Sequence, residues 1–262
     1  MKKNKKTDLD SNMRQKEYFH GLTLVPGMWV VVRLDGRSFS KFTQKNFQKP
    51  FDAAFKNSMV KTAEALMEDL HGFYGWTSSD EISILLPPTW AGYGRSLEKT
   101  LSLSASLAGS TFSLQVGEAV QFDSRIWLGA SLEDVLDYFL WRQEDSARCA
   151  LQGWAYWTLR QSGKSAQEVT RMLNGTDAAF KNEMLFTHGI NFNSTPLWQR
   201  RGVALYRGQA KKQGFNPLTH EEVLVQRQVL MQEDQLPMKE DYRAFLLQRL
   251  SQAVSHPTSR NP

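Results

Sequence analysis

The apolar residues in the first third of the chain follow two spacings, one typical of strands and one typical of a helix. Trp29–Leu34 is a mostly β-branched run and predicts a buried strand. Across Phe51–Leu70 the apolar residues recur every three or four positions, which predicts an amphipathic helix. Phe73–Trp76 and Ile82–Leu86 predict two further strands, and the polar residues Thr77–Glu81 predict the turn between them.

The pattern continues with one more helix and one more strand. Ser96–Phe112 is rich in small residues and predicts a helix that packs closely on a sheet, and Ala119–Phe122 predicts a fourth strand. The resulting order, strand–helix–strand–strand–helix–strand (βαββαβ), is that of ferredoxin-like folds. We therefore predict an α+β protein whose residues 1–129 form a ferredoxin-like, catalytic half.

After Gly129 the pattern becomes mainly helical. Serines followed three positions later by Asp or Glu mark helix starts. The predicted helices are Ser131–Gln161, Ser165–Gly175 and Asp177–Phe186. Asn191–Tyr206 is expected to be extended, and the tail after Pro237 to be amphipathic at first and then polar. We predict that residues 130–262 form a helical half, packed with the first half as one compact unit.

Composition and charge exclude only a few classes of function. The 262 residues are 41% hydrophobic and 23% charged, with a net charge of +5 and a pI near 9.2, which permits a polyanionic partner. The single cysteine, Cys149, excludes an intrachain disulfide and a multi-cysteine zinc site. No apolar run approaches the about 20 residues that span a bilayer, so we expect a cytoplasmic protein without a membrane partner.

Acidic residues lie at the ends of the predicted strands. Asp35 follows the first strand directly, and Asp80-Glu81 lie in the turn before the third strand. Because these two strands are neighbours in a βαββαβ sheet, the carboxylates are expected to meet at one edge. Such oxygen ligands suit Mg²⁺, and two ions about 3.5–4 Å apart clamp an in-line phosphoryl displacement. Gly36 would allow close approach of the backbone, although either motif alone is more often a plain turn.

Six motifs, in sequence order, resemble those of one enzyme family. They are Trp29–Phe42, Ser79–Ser83, Phe122–Arg125, Trp141–Asp145, Lys181–Phe186 and Ile190–Asn193. Together they cover roughly residues 8–207 and resemble the tRNA(His) guanylyltransferase family with its bacterial and archaeal guanylyltransferase-like relatives. Several independent motifs in order are far more specific than any one of them.

The resemblance implies a polymerase-like palm that works in reverse, in which the 3′-hydroxyl of an incoming nucleotide attacks an activated 5′ phosphate of a tRNA. It implies two Mg²⁺ ions at Asp35, Asp80 and the Gly36 carbonyl, with Glu81 as a further catalytic residue. The residues implied to bind nucleotide are Gly36, Arg37, Ser38, Phe39, Ser40, Ser79, Arg95, Lys99, Lys181, Asn191 and Asn193. GTP and ATP are the implied substrates, and a homotetramer is the implied assembly.

One segment departs from the eukaryotic members of that family. Where they carry a polar, asparagine-rich stretch, this chain has Ala147–Trp154. The departure is similar to the guanylyltransferase-like branch and favours template-dependent repair of shortened tRNA 5′ ends. Dedicated addition of a guanylate to tRNA(His) is the alternative. A palm-fold nucleotide cyclase, although its Gly-Gly-Asp/Glu-Glu-Phe hairpin is missing, and a non-catalytic RNA-binding module are also open.

Several residues also fit purely structural roles. Arg95 and Lys99, at i,i+4 spacing, fit a solvated helix face, and Arg125 and Arg142 fit ion-paired structural positions. Cys149 fits a buried small residue. The aromatic residues expected to pack in the core rather than stack on bases are Trp141, Trp154, Tyr156 and Trp157.

Overall fold

The computed structural model describes residues 5–216 and 221–254. In these residues the strands are β1 (Trp29–Gly36), β2 (Tyr74–Ser78), β3 (Glu81–Leu86), β4 (Phe122–Gly129), β5 (Val203–Asn216) and β6 (Glu221–Glu233). The helices are α1 (Lys5–Arg14), α2 (Phe39–Asn46), α3 (Ala53–Asp69), α4 (Leu97–Val116), α5 (Leu132–Gln161), α6 (Ala166–Leu173), α7 (Ala178–Thr187), α8 (Leu197–Arg201) and α9 (Lys239–Val254).

All of these strands join one antiparallel sheet in the order β4-β1-β3-β2-β5-β6. The β-branched run predicted as a strand is β1, which lies between β3 and β4 and is buried on both faces. The mixed helix-and-strand class predicted from the sequence is confirmed.

The two faces of the sheet are covered by different helices. Val30 and Val32 of β1 pack with residues of α3 and α4, whereas Val31 faces the other way and packs with residues of α5 and α9. On that second face the buried hydroxyls of Tyr74 and Tyr242 lie 2.9 Å apart, so the last helix is joined to β2 by a buried hydrogen bond. This alternation is the period-2 pattern of a strand buried on both sides.

The predicted helix starts are confirmed by their capping hydrogen bonds. At α5, the Ser131 hydroxyl accepts from the backbone of Asp134, and the Asp134 carboxylate accepts from the backbone of Ser131. Ser165 and Glu168 form the same reciprocal pair at α6. Asp52 starts α3 by accepting from two backbone N–H groups of the first turn. Each cap satisfies donors that a helix start leaves without an intrahelical partner.

The fourth strand lies later in the chain than predicted. The sequence favoured Ala119–Phe122, but β4 is Phe122–Gly129. This strand is at the edge of the sheet, and the side chains of Asp123 and Arg125 point to solvent on alternate positions. Charged residues on an edge strand are common. Here they interrupt the apolar residues, so a prediction based on apolar positions alone did not find the strand.

The second half of the chain contains more strand than the one extended segment that was predicted. Within Asn191–Tyr206 only the part from Val203 onward is a strand, because Pro196 starts the short helix α8. β5 and β6 then form a long hairpin that extends the sheet from β2. These strands contain many long polar residues and Gly208, so they show no apolar alternation that would have predicted them.

No helix among the described residues is long and apolar enough to cross a membrane. The amphipathic part of the segment after Pro237 forms α9. The predicted polar end, residues 255–262, lies outside the described residues.

Candidate active site

Two acidic residues lie side by side where β1 ends against the β2–β3 hairpin. Asp35 is opposite Glu81 in the register of β1 and β3, and the Gly36 N–H donates to the carbonyl oxygen of Asp80 at 3.0 Å. A backbone hydrogen bond therefore joins the strand end to the hairpin turn. Strand register and this hydrogen bond therefore bring the two residues together without a direct contact between their carboxylates.

The surroundings of Asp80 disfavour its negative charge. Burial raises the pKa of the Asp80 carboxyl, and the carboxylates of Asp35 and Glu81 raise it further. A hydrogen bond of 3.1 Å from the Ser79 hydroxyl acts in the opposite direction. Among the side chains that the structure describes, no Lys or Arg forms an ion pair with Asp35 or Asp80. The pair is therefore a site at which a bound cation would relieve electrostatic repulsion.

A cation at this position would need ligands from outside the two side chains. In the described part of the chain, no group of three or more His, Cys, Asp and Glu residues is arranged to hold a metal. Asp35 and Asp80 alone provide too few oxygens for the six that Mg²⁺ takes, so backbone, water or substrate phosphate oxygens would complete the set.

Glu81 is held by two arginines instead of facing the carboxylate pair freely. Arg142 donates from Nε to Oε1 at 2.8 Å and from Nη2 to Oε2 at 2.6 Å, and Arg33 Nη2 lies 3.0 Å from Oε2. The Glu81 and Arg142 side chains are only 9% and 8% exposed. Both carboxylate oxygens are thus paired with arginine, and Glu81 holds the hairpin against α5. Its predicted catalytic role stays a prediction. Arg142 is the ion-paired structural residue that the sequence predicted.

The turns on either side of the carboxylates share an unusual backbone conformation. Ser38 and Ser79 have φ values of 61° and 53°, in the left-handed region, which costs a residue with a Cβ about 1–2 kcal/mol and is found most often at functional sites. Ser38 precedes α2, but its hydroxyl does not cap that helix. The N–H groups of Phe39 and Ser40, in the first turn, therefore remain available to an anion at the positive end of the helix dipole.

Gly36 and Arg37 have structural reasons for their places. A Cβ on Gly36 would lie 2.4 Å from Cγ of the buried Phe39 ring, so only glycine fits here. The N–H of Arg37 donates to the carbonyl oxygen of Gln121 at 2.9 Å, and its guanidinium donates to the Gln121 side chain at 2.9 Å. The Arg37 N–H is thus already paired, and its predicted contact with a triphosphate stays a prediction. The metal-binding role of the Gly36 carbonyl stays a prediction.

A cleft of about 600 Å³ opens beside the carboxylate pair, between the segment joining α2 to α3 and the long helix α5. Its volume is within the range of small-molecule sites. The predicted site residues that line it are Asp35, Phe39, Ser40, Ser79, Asp80 and Glu81.

Lys49 lines the same cleft and was missed in the sequence. Its Nζ donates to the Thr43 hydroxyl at 2.5 Å and lies 5.7 Å from the centre of the Trp157 ring. Burial lowers the pKa of the Lys49 ammonium, whereas the carboxylates of Asp80 and Asp52 act to raise it. Within the described side chains it has no carboxylate in ion-pair contact, which leaves its charge available to a ligand. The only signal in the sequence was a lysine placed between aromatic residues and a proline.

One face of α5 forms the opposite wall. The residues of α5 that line the cleft are Arg142, Asp145, Ser146, Cys149, Ala150, Gly153, Tyr156 and Trp157. Cys149 is exposed, not buried as expected. None of the four aromatic residues predicted to pack in the core is fully buried: Tyr156 packs against a small core cluster from its edge, whereas Trp141 is 52% exposed. Tyr156 and Trp157 line the cleft, and Trp141 and Trp154 do not.

Comparisons with known proteins match both halves of the chain. The family model described as tRNAHis guanylyltransferase matches residues 10–132, and the one described as Thg1 C terminal domain matches residues 133–246. The chain belongs to the tRNA(His) guanylyltransferase family. The predicted family and the predicted enzyme class, a nucleotidyltransferase, are thereby confirmed.

Individual members of the guanylyltransferase family show how far the likeness extends. A probable tRNA(His) guanylyltransferase of Drosophila melanogaster is 33% identical over 219 residues, 77% of this chain and 76% of that protein. The mouse protein of the same name is 34% identical over 196 residues, 70% of this chain and 66% of its own length. A solved bacterial tRNA(His) guanylyltransferase-like protein in complex with ATP superposes with a TM-score of 0.73 at 25% identity, covering 92% of this chain and 98% of that one.

Two basic residues that the family resemblance assigned to phosphate binding do not line the cleft. The Arg95 guanidinium donates to the carbonyl oxygens of Leu24 at 3.0 Å, Trp90 at 2.6 Å and Val25 at 2.6 Å. Arg95 therefore fastens the N-terminal segment to the start of α4, and its predicted phosphate contact stays a prediction. Lys99 is exposed in the first turn of α4.

The polar residues predicted in the second half also lie outside the cleft. Lys181 donates to the Thr176 carbonyl oxygen at 3.1 Å. The Asn191 side chain caps a short turn by accepting from the Asn193 N–H at 3.0 Å, and the Asn193 carbonyl accepts from Arg200 at 2.9 Å. These contacts are structural. If the three residues also bind substrate, the part of the substrate that they contact must extend beyond the cleft.

Proposed function

We propose that this chain is a Mg²⁺-dependent nucleotidyltransferase that adds a guanylate from GTP to the 5′ end of tRNA(His). The observation that carries the proposal is the pair Asp35 and Asp80, which lie together at a cleft that also contains Lys49 and have no ion-paired cation among the described side chains. The names of the curated relatives favour this substrate over the repair reaction that the sequence pattern favoured.

Magnesium fits the donor set. Asp35 and Asp80 supply hard anionic oxygens, and the backbone carbonyl of Gly36 would supply a neutral one. When bound, the ion would offset the charge of the triphosphate and of the phosphoryl group under attack. The raised pKa of Asp80 agrees with this assignment. Burial and the neighbouring carboxylates disfavour its negative charge, and a bound cation would favour it.

The remaining cleft residues would bind and orient the phosphates. The free N–H groups of Phe39 and Ser40 lie at a helix N-terminus, which favours anions. Lys49 would supply a charge-assisted hydrogen bond from the other side. Glu81 touches neither substrate nor metal in this scheme; through Arg142 it holds the hairpin that carries Asp80 in place.

The fold supports a palm domain. The strand order β4-β1-β3-β2, with α3 and α4 on one face, is the arrangement expected of a ferredoxin-like unit, and we propose that it serves as the polymerase-like palm. ATP for activation, a tRNA partner, a homotetramer and a cytoplasmic location are parts of the same proposal, supported by family membership and the basic charge.

Template-dependent repair of tRNA 5′ ends is a second candidate, favoured by one observation. The part of Ala147–Trp154 that faces the cleft consists of Cys149, Ala150 and Gly153. These side chains offer few hydrogen-bonding groups with which to distinguish one RNA from another. A site without such groups discriminates weakly, because no buried polar partner is left unpaired by the wrong substrate.

A competition assay separates the two candidates. Full-length tRNA(His) lacking its extra guanosine and a tRNA shortened by one 5′ nucleotide are supplied together with all four nucleoside triphosphates. The first candidate requires a strong preference for tRNA(His) and addition of G whatever the opposing base. Preference for the shortened tRNA, with the added base following the template, establishes repair instead. Mg²⁺-independent labelling, or a cyclic nucleotide as product, contradicts both.

A further inference from the structure

The wall formed by α5 has a hollow at its middle. Cys149, Ala150 and Gly153 lie on the cleft side of the helix within about one turn of one another. A Cβ added to Gly153 would meet no atom within 4 Å, so nothing packs into the space above it. The hollow is therefore open to the cleft and is not filled by another described part of the chain.

The glycine at this position has no structural explanation. Gly153 lies inside a 30-residue helix, where glycine is the least favourable residue apart from proline. Glycines in helices usually allow a close approach of another element, but here no described element approaches. A glycine that weakens its helix, and that no other element approaches, is explained if a ligand occupies the space beside it.

The groups bordering the hollow are aromatic and basic. Trp157, one turn further along α5, lies edge-on to Tyr156 with ring centres 5.3 Å apart, and its face is 5.7 Å from the Lys49 ammonium. The other lysine in the cleft, Lys56, lies 3.6 Å from the carboxylate of Asp234. Lys49 donates to the Thr43 hydroxyl but has no carboxylate in ion-pair contact among the described side chains. An aromatic ring beside such a positive charge fits a planar group that carries a phosphate.

The hollow is also at a suitable distance from the carboxylates. Ser146 of α5 lies 2.6 Å, hydroxyl to hydroxyl, from Ser78, which is two residues before Asp80. From Ser146 to Gly153 the helix rises about 10 Å, at about 1.5 Å per residue. One nucleotide extends over such a length from its phosphates to its base.

We propose that the hollow over Gly153 is a nucleobase subsite, in which the base lies against Trp157 while a phosphate faces Lys49. The inference rests on the proposed function, because it takes the ligand of the cleft to be a nucleotide. That nucleotide comes either from a free nucleoside triphosphate or from the 5′ end of the RNA, and both present the same chemistry to the subsite.

The test fills the hollow without touching the carboxylates. In Gly153→Leu the new side chain enters the hollow, and in the control Gln152→Leu the same side chain points to solvent from the next position of α5, where Gln152 is exposed. Calorimetry with Mg²⁺ and ATP or GTP measures binding of free nucleotide. Kinetics with a 5′-triphosphorylated tRNA transcript measures the KM for RNA without an activation step.

We expect Gly153→Leu to weaken one of the two ligands about tenfold or more while its melting temperature stays equal to or above that of the wild type, since leucine favours helix. A loss confined to nucleotide affinity assigns the base to the triphosphate, and a raised KM confined to the tRNA assigns it to the RNA. Unchanged values for both ligands, or equal losses in Gln152→Leu, overturn the proposal. If Gly153→Leu folds poorly, Cys149→Leu narrows the same hollow from the preceding turn.

Stacking is tested separately at the tryptophan. Trp157→Phe keeps an aromatic face and should retain most of the affinity for the ligand identified above, whereas Trp157→Leu should lose it. Equal affinities in the two variants overturn stacking. A wild-type protein that binds nucleotide in the calorimeter but adds none to any tRNA contradicts the proposed function and leaves the subsite still measurable.

Discussion

The carboxylate end of the cleft and its α5 wall are built by different means. Asp35 and Asp80 are brought together by strand register and by one backbone hydrogen bond between Gly36 and Asp80. The α5 wall is positioned by side chains: buried apolar residues pack it against the sheet, and the buried contact of Arg142 with Glu81 joins it to the hairpin. A site set by strand pairing tolerates exchange of its functional side chains without losing its shape, whereas a wall positioned by side chains loses stability when one of those side chains is removed. Chemistry and stability should therefore respond to different substitutions.

The largest expected effect concerns chemistry at the carboxylate end. Asp35→Asn and Asp80→Asn should each lower the rate of nucleotide addition about 100-fold or more, because several kcal/mol of metal-derived stabilisation are lost. The fold should persist, since register and not the carboxylate holds the site together. Steady-state rates and a melting curve check both statements.

The matched control is Asp123→Asn. Asp123 is opposite Asp35 on β4 but pairs with Arg125 at 2.7 Å on the exposed edge, as the sequence predicted for that arginine. Its amide variant should keep nearly full activity. A loss equal to that of Asp35→Asn would mean that general negative charge, not a metal site, is what the reaction needs.

The second prediction concerns the stability of the α5 wall. Arg142→Ala leaves the buried Glu81 with Arg33 as its remaining ion-pair partner, and breaking a buried ion pair from one side costs about 3–5 kcal/mol. Urea unfolding should show the loss. Arg148→Ala, on the same helix, removes an arginine that is 76% exposed, and should change stability by less than about 1 kcal/mol. Similar values for the two variants would contradict the structural role of the Arg142 contact.

The third prediction tests the lysine between the two regions. Charge-assisted hydrogen bonds are worth about 1.5–3 kcal/mol, so Lys49→Ala should raise the Kd for Mg²⁺-bound nucleotide about 10-fold or more. Lys45→Ala removes a lysine of α2 that pairs with Glu118 on the surface and should leave the Kd unchanged. If both variants bind equally well, Lys49 is not a ligand of the phosphates.

The smallest expected effect is a gain in stability. Because the pKa of Asp80 is raised in the folded protein, its ionisation opposes folding, and this cost grows as the pH rises above the ordinary aspartate value of about 3.9. Without metal, Asp80→Asn should therefore melt at a higher temperature than the wild type at pH 7. Near pH 3 the carboxyl is protonated in both the folded and the unfolded wild type, and the difference should vanish. A stabilisation that is independent of pH would require another explanation.

The contrast between the carboxylate end and the α5 wall also explains which parts of the site can be predicted from the sequence. The β-branched run before Asp35 and the turn residues before Glu81 are local signals, and they are enough to locate the carboxylate pair. Lys49 and Gly153 carry only weak local signals, because their part in the cleft depends on the distant helix or segment that faces them. The contacts of Arg95 could not be predicted locally either, because two of the carbonyl groups that its guanidinium contacts, those of Leu24 and Val25, lie about 70 residues away.

The pairing of β2 with β5 limits how this chain can be divided. Tyr74–Thr77 of β2 are buried and bonded to β3 on one side and β5 on the other. A fragment ending near Gly129 would lose β5, α5 and α9 together, so β2 would become an uncovered edge strand with an apolar face turned to water. Such an edge readily pairs with other copies of itself. A separate fragment of residues 1–129 is therefore expected to self-associate through β2 instead of folding as an independent unit.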